Sequence, residues 1–243
     1  MFLMKIGTAG WNIPKQFAAA FPAEGSHLER YSRALRAVEI NSTFYKPHQP
    51  KTFLRWKEET PHDFAFSIKM TKVFTHEKRL NVSRAEISDW LKPMTELGEK
   101  FSALLVQLPP SLVFSEKSVE LFFRNLRHEF GGLIALEPRN VSWIEPVALA
   151  LNDEFDISKV EADPDRCPTP EKELNRSRSR YLRLHGSPRI YYSDYSVKFL
   201  ERVARDFESH PPCKGEPESW IIFDNTTLGF GTKNAIELKK STR

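Results

Sequence analysis

Eight short runs of β-forming residues recur along the chain, at residues 5–8, 37–42, 64–69, 103–108, 133–137, 157–163, 180–185 and 219–224. Between them the apolar period changes from two to three or four. Leu28, Tyr31 and Leu35 mark one helical face in the first gap, and Val119, Phe122, Phe123 and Leu126 mark another in the fourth. Further helices are expected over residues 50–59, 83–100, 143–152, 195–208 and 232–240, with the poorest pattern at 171–175. Parallel strands need crossover connections, and eight strand–helix units favour a closed barrel over an open doubly wound sheet. The predicted fold class is therefore α/β, a single (β/α)8 TIM-type barrel occupying residues 1–243 as one domain. No internal repeat, low-complexity tract or shift in composition marks a boundary. The Pro-rich stretch 209–219 is placed on the bottom face.

Successive side chains of a strand point to opposite faces, so the alternation inside each run says what the barrel encloses. Val38 and Ile40 alternate with Glu39 and Asn41, and Phe66 and Ile68 with Ser67 and Lys69. Leu104, Val106 and Leu108 stand against Gln107, and Ile134 and Leu136 against Ala135 and Glu137. Leu182 and Leu184 stand against Arg183 and His185, and Ile221 and Phe223 against Asp224. Helices cover the outside of such a barrel, which assigns the apolar set to the helices and the polar set to the axis. The polar groups then converge at the late ends of the strands, where barrel enzymes place their chemistry. The competing reading is a self-satisfied ion-pair layer of Glu39, Lys69, Glu137, Arg183, His185 and Asp224. A functional pocket is favoured over it, because buried charge is costly unless paired.

Composition narrows this only slightly. With 40% hydrophobic and 28% charged residues the chain is an ordinary globular protein. Met1 to Gly7 lacks a basic leader and a cleavage site, and no apolar run is long enough to cross a bilayer, so a cytoplasmic protein without membrane contact is expected. Cys167 and Cys213 are read as two free thiols. The 36 basic and 32 acidic residues leave a charge of +4, a weak lean toward anionic partners. The densest basic run, Arg176-Ser-Arg-Ser-Arg180, is read as a solvated loop.

Several blocks together carry a resemblance. They are Gly7-Thr-Ala-Gly-Trp11, Val38-Glu-Ile-Asn-Ser-Thr-Phe-Tyr45, Trp56 with Thr60-Pro61, Phe64-Ala-Phe-Ser-Ile-Lys69, Thr75-His76, Gln107-Leu-Pro-Pro110, Glu137-Pro-Arg139 with Ser142-Trp143, Tyr181-Leu-Arg-Leu-His-Gly186 and Asp224-Asn225. In this order they resemble the YecE-like proteins, domain-of-unknown-function family 72, over almost the whole chain. The resemblance implies a TIM-type barrel and no established reaction. One departure is Phe230, where the family pattern has a small residue.

Three functions fit the pocket. The first is an enzyme using acid/base chemistry on an anionic small molecule, phosphorylated or sugar-like. Lys69, Arg139 and Arg183 would hold the charge, Glu39, Glu137 and His185 would exchange protons, and a buried Glu raised by its surroundings would serve as the acid. Trp11, Asn41, Tyr45, His76, Gln107, Trp143, Asp224 and Asn225 complete the expected substrate contacts, although Trp11 and Trp143 are nearly as well explained as plugs of the barrel top. An anion, in particular a phosphate, is expected on the loops after the seventh and eighth strands, at Gly186, Ser187, Thr226, Gly229 and Gly231, where glycines and a helix start expose amides. The second is a nucleic-acid-binding protein or metal-dependent phosphodiesterase like the barrels that process damaged DNA, a fold analogy and the less favoured reading. The third is a barrel that binds a ligand without turnover. No cofactor is predicted, and too few histidines face the pocket for a zinc cluster. A single Mg2+ or Mn2+ on Glu39, Glu137, Asp163 and Asp224 is the one metal arrangement left, and the neighbouring cations weigh against it. Substrate identity, reaction type and oligomeric state are not encoded in these patterns.

Overall fold

The structure is a computed structural model and describes residues 4–169, 179–209 and 219–242. The weak helix expected at 171–175, Arg176 to Arg178 of the basic run, Cys213 and the interior of the Pro-rich stretch lie outside the described residues. The strands are β1 (Met4–Ala9), β2 (Ala37–Ile40), β3 (Ala65–Lys69), β4 (Phe101–Gln107), β5 (Leu133–Glu137), β6 (Ile157–Lys159), β7 (Glu161–Asp163), β8 (Arg180–Leu184) and β9 (Ser219–Phe223). All pair in parallel, in the order β6-β5-β4-β3-β2-β1-β9-β8-β7. The sixth predicted run is thus one strand interrupted at Val160. Its first half pairs with β5, setting Ile134 opposite Ile157, and its second half pairs with β8, setting Ala162 opposite Arg183. That interrupted strand joins the two ends of the ladder and closes the barrel.

The side-chain alternation sorts as the sequence predicts. Val38, Ile40, Phe66, Ile68, Leu104, Val106, Ile134, Leu136, Leu182, Leu184, Ile221 and Phe223 form one apolar shell with the helices outside. Each fully buried aliphatic or aromatic side chain there is worth roughly 1.5–3 kcal/mol, which offsets the cost of a polar interior. The lower lumen is a separate cluster in which Ala37, Ala65, Ala103 and Ala135 leave room for Tyr181 and Trp220, stacked at 5.8 Å and 15°. One pleat higher the inward positions become polar. Small residues at the base and charged ones above are therefore the same face of the same strands.

Among the described residues the helices are α1 (His27–Ala34), α2 (Pro50–Glu58), α3 (Arg84–Leu91), α4 (Glu116–Glu129), α5 (Pro146–Glu154), α6 (Val197–Ser209) and α7 (Phe230–Ser241). Capping boxes Ser26/Glu29 and Ser83/Glu86 start α1 and α3. The helix expected over 83–100 is shorter, because Pro93 lacks an N–H and Gly98 turns to φ 58°, leaving a 3-10 segment Lys92–Lys100. The segment expected as 143–152 likewise becomes a 3-10 turn, Val141–Ile144, followed by a helix that begins on Pro146. Two further short elements follow β2 and β3 at the barrel top: a 3-10 turn Ser42–Phe44 and a π turn Val73–Glu77. No described helix is long and apolar enough to cross a membrane.

Candidate functional site

The inward positions of β2, β3, β4, β5, β8 and the end of β9 bring their polar side chains into two tiers. Arg183 holds the lower one. Its Nη2 and Nε donate to the two oxygens of Glu39 at 2.8 and 3.0 Å, its Nη1 donates to Glu137 Oε2 at 2.7 Å, and Nη2 reaches Asp224 Oδ2 at 3.1 Å. Tyr181 Oη donates to Glu39 Oε2 at 2.8 Å and lies 2.8 Å from Ser67 Oγ. Gln107 Nε2 donates to Glu137 at 2.9 Å. Arg183 and Glu39 are wholly buried, so every charge here is answered within the protein. Burial pushes the Glu137 carboxyl up, but Arg183, His185 and Arg139 outweigh it and hold the group well below the usual range. Burial likewise opposes ionisation of Asp224, and Arg183 and His185 again win and lower it.

The upper tier is less completely paired. His185 Nδ1 lies 3.0 Å from Asp224 Oδ2 and its Nε2 3.3 Å from Glu137 Oε1. Burial disfavours the imidazolium, but the hydrogen bonds to these two carboxylates prevail and raise its pKa. Lys69 is 9% exposed, yet its ammonium makes no hydrogen bond or ion pair to a described residue; it lies 4.5 Å from the centre of the Phe44 ring. Burial and the Arg183 charge lower its pKa against the pull of Glu39, Asp224 and Glu137. Arg139 keeps 21% of its side chain exposed and touches Glu137 only at 3.5 Å. His76, on the π turn, has Nδ1 2.8 Å from Thr75 Oγ1 and packs edge-on against Phe44. Burial and the charges of Lys69 and Arg139 lower its pKa. Four cationic side chains, Lys69, Arg139, Arg183 and protonated His185, thus meet three carboxylates, and the spare positive charge sits where solvent enters. A narrow cavity of about 20 Å³ between Glu137, Arg139, His185 and Tyr191 is large enough for a water molecule. Among the described residues no group of three or more His, Cys, Asp or Glu side chains is arranged to hold a metal ion.

The family described as "Protein of unknown function DUF72" matches residues 5–243. The chain belongs to the DUF72 family. It is 28% identical to the UPF0759 protein YunF of Bacillus subtilis over 97% of this chain and 93% of that one. It is 30% identical to the UPF0759 protein YecE of Escherichia coli over 107 residues, a match spanning 44% of this chain and only 38% of YecE. The crystal structure of a DUF72 protein from Thermotoga maritima superposes with a TM-score of 0.77 at 23% identity, covering 98% of each chain. One from Enterococcus faecalis gives 0.78 at 20% identity, over 98% and 95%. These structures confirm the barrel.

In this DUF72 protein the expected site residues separate into those a ligand can reach and those it cannot. Glu137, Arg139 and His185 line the narrow cavity, Gln107 and Asp224 are hydrogen-bonded to them, and Lys69 and His76 are titratable neighbours of the same cluster. Arg183 and Glu39 belong to the cluster but are sealed beneath it, which corrects the expectation that Arg183 grips a ligand and Glu39 trades protons with it. The expectation of a Glu raised enough to act as an acid is also reversed, since Glu137 has too many donors around it. Trp143 is 1% exposed, donates from Nε1 to Leu112 O at 2.8 Å and packs on Phe114: it is a plug. Trp11 is half-buried with its ring 5.1 Å from Trp56, and Tyr45 is 72% exposed on the rim. Asn225 is fully buried and donates to Ser193 O and Asn234 Oδ1. Asp163 faces Tyr195, whose hydroxyl lies 3.3 Å from its Oδ1, and so stands apart from the carboxylates proposed as its partners in a metal site.

In the anion site expected on the last two loops, several of the amides are already bonded within the protein. The Gly186 amide donates to Tyr195 Oη, Gly229 to Thr226 O, Gly231 to Asn225 O and Thr232 to Gly229 O. Ser187 and Thr226 remain accessible, but the glycine amides that motivated the site are bonded to the Tyr195 hydroxyl and to carbonyls of the turn. Sequence reasoning missed Phe44 under Lys69, Thr75 beside His76, and Tyr191, whose exposed ring stands edge-on to His185 at 6.3 Å. The π turn that aims Thr75 and His76 has no sequence signature, though such turns often mark functional sites.

Proposed function

We propose that this chain is an enzyme that binds a small molecule through an anionic group at Lys69 and Arg139 and moves a proton with His185 as acid and His76 as base. The observation that carries it is the Lys69 ammonium, at the accessible end of a largely buried side chain and without a hydrogen bond or ion pair among the described residues. A cation so largely withdrawn from water is stabilised by any negative group that contacts it, and every carboxylate nearby is already hydrogen-bonded to Arg183 or His185. A phosphate, sulfate or carboxylate group would complete the set.

The acid/base roles rest on two histidines whose surroundings push their pKa values apart, the pattern by which one site supplies both an acid and a base near neutral pH. His185, hydrogen-bonded to two carboxylates, keeps its proton. His76, partly buried and then crowded by cations, stays neutral, and its Nε2 is the nitrogen not engaged with Thr75. Glu137 and Asp224 stabilise the imidazolium rather than take the proton, and Arg183 with Glu39 holds them in place.

Titration calorimetry with inorganic phosphate tests the anion half. The wild-type chain is expected to bind, and Lys69→Met to bind at least tenfold more weakly, about 1.4 kcal/mol. Equal affinity of the two would remove the basis of the proposal. Once a turned-over substrate is in hand, His185→Asn and His76→Asn should lose opposite limbs of its pH–rate profile.

A further inference from the structure

Beside the charged pocket lies a second cavity of about 390 Å³, lined by Gly10, Trp11, Asn12, His27, Asn41 and Ser42. It is within the range of small-molecule sites, roughly 300–1,000 Å³, and it contains no acidic side chain. Asn41 stands at the start of the 3-10 turn Ser42–Phe44, where an Asn side chain ordinarily caps the backbone, and it makes no cap bond. Its Oδ1 is buried and unpartnered, and neither end of the amide is hydrogen-bonded to a described residue. A buried amide oxygen left unpaired costs about 1–3 kcal/mol, a cost that is removed when the amide turns toward a donor in the cavity. The other walls suit a neutral guest. Trp11 offers a half-buried indole steadied by Trp56, and Ser42 a hydroxyl fixed 2.8 Å from His48 Nε2. Gly10, at φ +79°, leaves open space where a side chain would stand.

One short element links this cavity to Lys69. In the turn Ser42–Phe44, Ser42 lines the neutral cavity and Phe44 supports the Lys69 ammonium. A molecule anchored at Lys69 therefore extends along three residues into the space before Asn41. We infer that this cavity is a subsite for an uncharged, polyhydroxylated ring of the sugar type, the other half of a ligand whose anionic group sits at Lys69. Vicinal hydroxyls supply both a donor and an acceptor to the Asn41 amide, and the C–H face of such a ring packs on an indole. This rests on the anion-binding reading above, and its test separates the two.

Saturation-transfer NMR on the full chain with the methyl glycosides of glucose, galactose, mannose and ribose, run beside a phosphate titration, is the experiment. At least one glycoside is expected to receive saturation, with at least tenfold weaker binding in Asn41→Leu while phosphate affinity stays within twofold. Ser42→Ala, a smaller change, should weaken the same glycoside several-fold and guards against an Asn41 variant that fails to fold. Phosphate binding with no glycoside bound would overturn the sugar subsite and leave the anion site standing. Glycoside binding indifferent to both variants would also overturn it. Failure of both ligands would overturn the anion reading and this one together.

Discussion

The lower and upper tiers of the same barrel contain the same kinds of side chain and differ in what answers their charge. Below, Arg183 is wrapped by Glu39, Glu137 and Asp224 with Tyr181 closing the set. Above, the Lys69 ammonium rests on an aromatic face with no ion pair, and the carboxylates of Glu39, Asp224 and Glu137 act on it only at a distance. A saturated cluster contributes order and position; an unsaturated one stores a demand that a ligand meets. Burial of charge alone does not mark the functional residues. The unpaired charge does.

Removing Arg183 should produce the largest effect. Arg183→Met leaves three buried carboxylates without their shared partner, and a loss of about 3–5 kcal/mol is expected for one broken buried pair, read by urea unfolding at pH 7. A loss under about 1 kcal/mol would mean the lower tier is not the structural one. Next comes His185. Its raised pKa means that its contribution is fully present below its ordinary value of 6.5 and is lost as pH rises through the folded value. Glu137 is lowered, so its contribution is present above its ordinary 4.5 and is lost as pH falls. Stability should therefore peak between about pH 4.5 and 6.5. His185→Asn should remove the alkaline decline and cost about 1.5–3 kcal/mol below it; an unchanged pH profile would contradict the imidazolium assignment.

Lys69→Met should act in the opposite direction to Arg183→Met. Its lowered pKa says that folding disfavours the charge, so the variant is expected to gain about 1 kcal/mol while losing phosphate. A destabilised variant would place Lys69 in the saturated tier. The smallest effects belong to the rim. Tyr45→Ala should change stability by less than about 0.5 kcal/mol, and a chelator should leave the melting temperature where it was. A chelator-induced drop reversed by one metal would point to a metal site.

The barrel was legible because strand period, helix period and the inward-facing polar positions all agreed, down to Glu137 ending β5 on the residue expected. What the sequence concealed was pairing. Alternation places Lys69 and Arg183 on the same inward face, but which of them is answered depends on strand register across the barrel, bringing β8 to β2 and β5. The glycines after β9 looked like a phosphate cradle, yet Gly229, Gly231 and Thr232 spend their amides on carbonyls of their own turn, which no local pattern reveals. Trp143 and Trp11 are alike in sequence context, and only packing makes one a plug and the other a wall. His76 was found by its place after β3, but its aim depends on a π turn set by tertiary contacts.

Crystals soaked in sulfate test the contrast between the tiers most directly. The ion is predicted within hydrogen-bonding reach, about 3 Å, of Lys69 Nζ and the Arg139 guanidinium, with the Arg183 cluster unmoved beneath it. Sulfate bound instead at the Gly229 turn, or a Lys69 ammonium with no anion beside it at high sulfate concentration, would contradict the assignment of the unpaired charge to ligand binding.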